Sequence, residues 1–175
     1  MTHDTAPSYA RTLEATTNET ALWLSRLSEA AVTWRPTPTA WSTKEIIGHL
    51  IDSAANNHQR FVRAAHQPDL VFPGYAQDDW VRAQSYHSAD WSSLVTLWQM
   101  YNLHIAHVMS VVPAEVRERT HARHNFDQIG FRPFDAAQPV TLHDLMYDYV
   151  LHLEHHLAQV RDRVRGAAGG TVTES

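Results

Sequence analysis

The chain contains no cysteine. That excludes a disulfide framework, a cysteine nucleophile and a thiolate metal site. Lysine is almost missing as well. Lys44 is the single lysine among 14 scattered basic residues, and the formal net charge is −5. Nucleic-acid binding leans on a clustered basic footprint, so no nucleic-acid partner is expected. No apolar run of about 18 residues, the length a membrane span requires, occurs. Met1 to Ala10 lacks both the basic start and the apolar stretch of a signal peptide. A soluble, cytoplasmic protein without a membrane partner is the expectation. Glycine (6) and proline (8) are too sparse for a collagenous or linker-rich chain. No P-loop or dinucleotide glycine motif, no H-E-x-x-H and no G-x-S-x-G is present, leaving phosphate-loop, zincin and serine-hydrolase readings without an anchor. A di-iron carboxylate bundle needs two E-x-x-H helices; only Glu118 to His121 fits.

Histidine, by contrast, is in excess: 13 of 175 residues. Imidazole titrates near neutral pH and is the commonest side-chain metal ligand. The 175 residues suffice for one domain burying roughly 70% of the surface that its unfolded chain exposes. Apolar spacing is helical nearly throughout. From about Tyr9 to Val32, Leu13, Thr20, Ala21, Leu24, Leu27 and Ala31 share a stripe. Arg35-Pro36-Thr37-Pro38 then stops this first helix, because proline lacks the N–H and restricts its predecessor. Ser42 and Glu45 form an S-x-x-E capping box that opens a second helix to about Ala65, with Ile46, Leu50, Ala54, Asn57 and Phe61 in one stripe.

Pro68 and Pro73 mark a loop, and a short helix is expected around Asp78 to Ser85. Asp90 caps a third long helix to about Val112, with Leu94, Leu97, Trp98, Tyr101, Ile105 and Val108 apolar; Pro113 ends it. Glu115 to Pro139 has no clean period and reads as a long ordered loop, with room for a short helix, of the kind that is usually functional or disordered. A last helix runs from near Thr141, with Thr141 and Asp144 as a weaker capping box, to about Arg165. Residues 166–175 read as a flexible tail. Four long helices in a single domain, 1–165, predict an all-α four-helix bundle with long crossover loops.

The densest chemical signal is His152-Leu153-Glu154-His155-His156 in the last helix. Residues four apart stack on one face, so His152 and His156 can reach one ion. His155, three from His152, is not excluded by spacing. His49 sits in a segment otherwise written for burial, after Ile46, Ile47 and Gly48. A buried imidazole must be hydrogen-bonded or ligated; His49 either bonds a neighbouring helix or joins the ligand set. Asp52 and Asp148 are candidate acceptors for the second ring nitrogen of a ligand, or else exposed helix charges. Asp78, Asp79 and Trp80 could contact substrate, and Arg123, His124 and Arg132 could bind an anion. The His104/His107 and His121/His124 pairs are either a second site or solvated histidines.

Two stretches carry a resemblance. Trp41-Ser42-x-Lys44-Glu45-Ile46-x-Gly48-His49-Leu50-x-Asp52 looks like the second-helix signature of the DinB-like superfamily. His152-Leu-Glu-His155-His156-Leu-Ala-Gln159-Val160 resembles its closing H-x-x-H-H-x-x-Q-[IV] pattern. The similarity extends over roughly Trp34 to Val160. It implies a bundle of the DinB/YfiT-like type and a divalent metal, commonly zinc or nickel, held by His49, His152 and His156, with His155 outside the ligand set. It also implies a small-molecule substrate and a homodimer. The leading expectation from the resemblance is a thiol-dependent S-transferase using an external low-molecular-weight thiol. The alternatives are a metal-dependent hydrolase that uses water, and a non-catalytic metal-binding bundle.

Overall fold

The computed structural model describes residues 6–169. In chain order the helices are α1 (Ser8–Leu24), α2 (Glu29–Thr33), α3 (Thr43–Ala64), α4 (Gln77–Ala83), α5 (Trp91–Val111), α6 (Ala114–Arg117), α7 (Phe126–Ile129) and α8 (Leu142–Gly169). A 3₁₀ turn covers Tyr86–Ser88, and the strands β1 (Thr120–His121) and β2 (Val140–Thr141) pair antiparallel. The four long helices make the bundle. α3 packs on α5 and α8, and α1 packs on the same two, so the order around the bundle is α1–α5–α3–α8. Of the helices consecutive along the chain, α1 and α3 lie on one diagonal and α5 and α8 on the other, so these two connections must cross the ends of the bundle, whereas α3 and α5 are direct neighbours. No helix among the described residues is long and apolar enough to cross a membrane.

The core is filled by Leu13, Leu24, Ile46, Leu50, Phe61, Trp98, Ile105, Met109 and Leu142, all essentially inaccessible to water. Two predicted boundaries move. The helix expected over Tyr9 to Val32 is two helices: α1 stops at Leu24, and Ser28 restarts the chain as α2 by accepting from Ala31 N at 3.3 Å. Leu24 and Val32 are buried and Leu27 packs against the core on both sides of this break, so apolar spacing runs straight through it. α8 continues past Arg165 to Gly169, where a tail was expected. Gly166 serves close packing here, since a Cβ would meet the Trp34 ring at 2.5 Å. The rest of that tail, 170–175, lies outside the described residues. The α5 stripe is also narrower than its spacing suggests, for Leu97 is 50% exposed.

The two long connections position the site. The segment after α3 and the segment after α6 are laced together: Leu70 N donates to Arg123 O (3.0 Å), and Asn125 exchanges hydrogen bonds with the backbone of Phe72. His121 Nδ1 bonds Pro68 O at 2.7 Å, and His124 holds Gln138 O and the amide of Phe126. This pair of histidines fastens loops, and among the described residues it belongs to no cluster of three potential metal ligands. His104 and His107 are exposed on α5, with His104 facing His58 at 4.9 Å between ring centroids.

Candidate metal centre

The start of α3 is built to hold His49 still. Ser42 and Glu45 close the predicted capping box, and Glu45 also pairs with Arg35 at 2.8 Å. Lys44, buried, donates to Glu29 of α2 (2.6 Å) and to Ala89 O (2.7 Å), tying the first turn to two neighbours. Gly48 is required by a close approach: a Cβ would lie 2.1 Å from the Tyr86 ring. The next residue, His49, is completely buried and faces α8, with the Trp41 ring 5.1 Å away.

From α8, His152 and His156 meet it. One potential ligand atom from each of His49, His152 and His156 lies within 4.8 Å of the other two. The Nε2 atoms of His49 and His152 are 3.2 Å apart. Two nitrogens bound about 2.0–2.1 Å from a tetrahedral ion stand about 3.3 Å apart, so this pair matches an edge of such a site. His156 Nδ1 donates to Gln159 Oε1 at 2.9 Å, which leaves its Nε2 as a bare lone pair. His152 Nδ1 faces Ser53 Oγ at 3.4 Å.

Burial, reinforced by the neighbouring His156, lowers the pKa of His49 to about 3. Burial and then the other histidines lower that of His152 to about 2. Burial also lowers His156, opposed by its bond to Gln159. All three rings are therefore neutral at pH 7, the form that ligates. Three convergent neutral imidazoles with no carboxylate among them fit a divalent ion of the zinc type that keeps an open position.

Two predicted acceptors serve elsewhere. Asp52 accepts from Gln84 Nε2 and lies 2.7 Å from Tyr86 Oη, anchoring the 3₁₀ turn rather than orienting His49. His49 Nδ1 is buried without a partner among the described residues. Asp148 accepts from the amides of Phe131 (2.7 Å) and Arg132 (2.9 Å) and from Arg132 Nε. It thereby clamps the long loop so that the Phe131 ring lies 5.5 Å from His152 and 5.1 Å from His155. The orienting group is Gln159, whose amide also donates to the exposed His155 at 3.0 Å.

A cavity of about 260 Å³ opens on the α8 side of the triad, lined by Ser53, Asn57, Arg60, Tyr75, Phe131 and Tyr149 beside His152, His155 and His156, with His49 buried behind them. Arg123 pairs with Asp69 at the surface, Arg132 with Asp148, and Asp79 with Arg82, so these charges are not offered to the cavity. The Trp80 ring lies tilted against that of Tyr75, 4.9 Å between centroids. Ser53 was missed from the sequence, although its place one turn beyond His49 on the same face could have found it. Tyr75 and Phe131 could not be found in this way, because they come from loops without a period.

A family model described as the DinB superfamily matches residues 12–160. The chain belongs to the DinB superfamily. The match takes in α1 from Thr12 onward, which the two sequence signatures do not reach. YfiT of Bacillus subtilis is 23% identical over 126 residues, 71% of this DinB-superfamily chain and 65% of YfiT. The chain thus spans slightly less than two thirds of that relative. The solved structure of YfiT, described as a probable metal-dependent hydrolase with an unusual four-helix bundle topology, aligns with a TM-score of 0.75 at 17% identity. The alignment covers 96% of this chain and 90% of YfiT, which establishes the shared fold.

Proposed function

We propose that this protein is a metal-dependent hydrolase of small molecules, with one divalent ion, zinc or nickel, held by His49, His152 and His156. The observation that carries the reading is the convergence of three neutral imidazoles, two of which, His152 and His156, line a cavity of about 260 Å³. The description of YfiT as a metal-dependent hydrolase supports the same reaction class. An ion in such a site supplies Lewis acidity, lowering the pKa of water and polarising a carbonyl. The protein's part is to fix the rings through Gln159 and Ser53, and to shield the site with Trp41, Tyr75 and Phe131. Hydrolysis adds water across the labile bond: its oxygen joins the acyl carbon, the C–N or C–O bond breaks, and the proton leaves with the departing group. Tyr75, its pKa raised to about 12 by burial, stays protonated and is a hydrogen-bond donor at the cavity wall.

The test is turnover of a panel of small esters and amides by zinc- or nickel-loaded protein, with and without added low-molecular-weight thiol. Metal-dependent hydrolysis indifferent to thiol supports the proposal. Turnover only with thiol would replace it by the S-transferase that the resemblance implies. Metal bound without any turnover would leave the non-catalytic bundle.

A further inference from the structure

Arg60 projects from α3 two turns beyond Ser53, on the side that carries the cavity. It is 5% exposed and lines the cavity that also reaches His152 and His156. Its Nη1 donates to Asn57 Oδ1 (3.3 Å) and its Nη2 to Pro73 O (3.1 Å), both neutral acceptors. Two of its five N–H donors are thereby used, and no carboxylate pairs with it among the described residues. Exposed Arg82 and Arg123 each have a carboxylate partner, whereas this buried guanidinium does not. The single carboxylate lining the cavity, Asp148, is taken up by Arg132 and two backbone amides. A buried charge without a counter-charge is costly. Sites that keep one usually do so for a ligand that supplies the counter-charge, and a planar guanidinium fork suits a carboxylate.

A continuous set of contacts connects this cation to the histidines. Asn57 holds Arg60 at one end and Ser53 at the other, and Ser53 faces His152. Helical side chains lean towards the N-terminus, and the Arg60–Asn57 bond shows that lean. The guanidinium therefore sits near the level of Asn57, about 6 Å along the axis from Ser53, the residue that faces His152.

We infer that Arg60, supported by Asn57, is the recognition point for a carboxylate on the substrate, so that the molecule processed is a small ester or amide bearing a carboxylate about 6 Å from its labile bond. This rests on the hydrolase reading for the labile bond, but not for the carboxylate. The test is accordingly a binding measurement. N-acetylglycine, 3-acetamidopropanoate and 4-acetamidobutanoate are titrated calorimetrically against metal-free and zinc-loaded protein, beside their neutral carboxamides and inorganic phosphate. The parent protein should bind the best carboxylate at least about tenfold tighter than its carboxamide in both metal states, the scale of a charge-assisted hydrogen bond. Arg60→Met should abolish that preference with unchanged zinc content.

Arg60→Lys, which keeps the charge and loses the fork, covers the case in which the methionine variant does not fold; it should retain only part of the preference. Equal affinity for acid and carboxamide in the parent overturns the inference. So does a preference that survives in both variants, or phosphate binding as tight as the best carboxylate. An Arg60-dependent carboxylate preference without any hydrolysis would leave the carboxylate recognition standing and remove the hydrolase reading, and with it the labile bond.

Discussion

At the residue scale the histidines divide by what their second nitrogen touches. His156 is oriented by Gln159, His152 faces Ser53, and His155 is exposed and bonds the same glutamine amide. His49→Ala and His156→Ala are expected to lose the divalent ion at near-native helicity, while His155→Ala keeps most of it. Elemental mass spectrometry beside circular dichroism checks this, and equal loss at His155 would redraw the ligand set. Gln159→Leu removes the acceptor that fixes His156 and should weaken metal binding about 10–100-fold. Competition with a chelator measures it; an unchanged affinity would reduce Gln159 to a packing role. Asp52→Asn should leave metal affinity unaltered, because that carboxylate faces Tyr86 and Gln84 rather than a ligand.

At the scale of elements, the site is a helix pair held by its ends and covered by two laced loops. The α3 terminus is locked by the capping box, by Lys44 and by the Tyr86 ring lying on Gly48. Gly48→Ala drives a methyl into that ring and should destabilise the fold by about 1–3 kcal/mol, the usual cost of overpacking; urea denaturation measures the change. Asp148 does for the long loop what Ser42 does for the helix. Asp148→Ala strands two backbone amides and Arg132, an expected loss of about 2–3 kcal/mol. Faster proteolysis between Gly130 and Phe134 should accompany it, and protection equal to the parent would show that the loop is held by other contacts. The capping residues and the α3 and α8 stripes were legible because caps and periodicity are local. The break between α1 and α2 was not, because the core accepts Leu24, Leu27 and Val32 on either side of it.

For the whole molecule, burying imidazoles links stability to pH. His49 and His152 have folded pKa values of about 3 and about 2, below the 6.5 of a free ring. Below pH 6.5 the unfolded chain takes up protons that the folded chain refuses. Stability is therefore complete above that pH, and falls with acidification until the folded values are reached. Each ring contributes a slope of up to about 1.4 kcal/mol per pH unit. Metal-free protein should lose urea resistance steadily between pH 7 and pH 5, and His152→Gln should flatten that slope. A slope unchanged in the variant would mean that other groups govern the acid response. For the ion proposed on these neutral rings, metal release should fall at a lower pH than for histidine ligands of ordinary pKa.

The sequence by itself determined the long helical stretches apart from the α1/α2 break, the caps of α3 and α5, the absence of a cysteine ligand or nucleophile and the two histidine-bearing faces, since all of these depend on composition or on residues within a few turns of one another. The resemblance of those two faces to the DinB-like superfamily pointed to the triad. Only the tertiary structure decided that α3 and α8 are neighbours, bringing His49 to His152 and His156. It also showed that Asp52 and Asp148 anchor loops, that Gln159 orients His156, and that Arg60 is the buried cation left in the cavity without a carboxylate partner. The physical reason is common to these cases. Which acceptor a side chain finds depends on how distant segments pack, and no local periodicity records that choice.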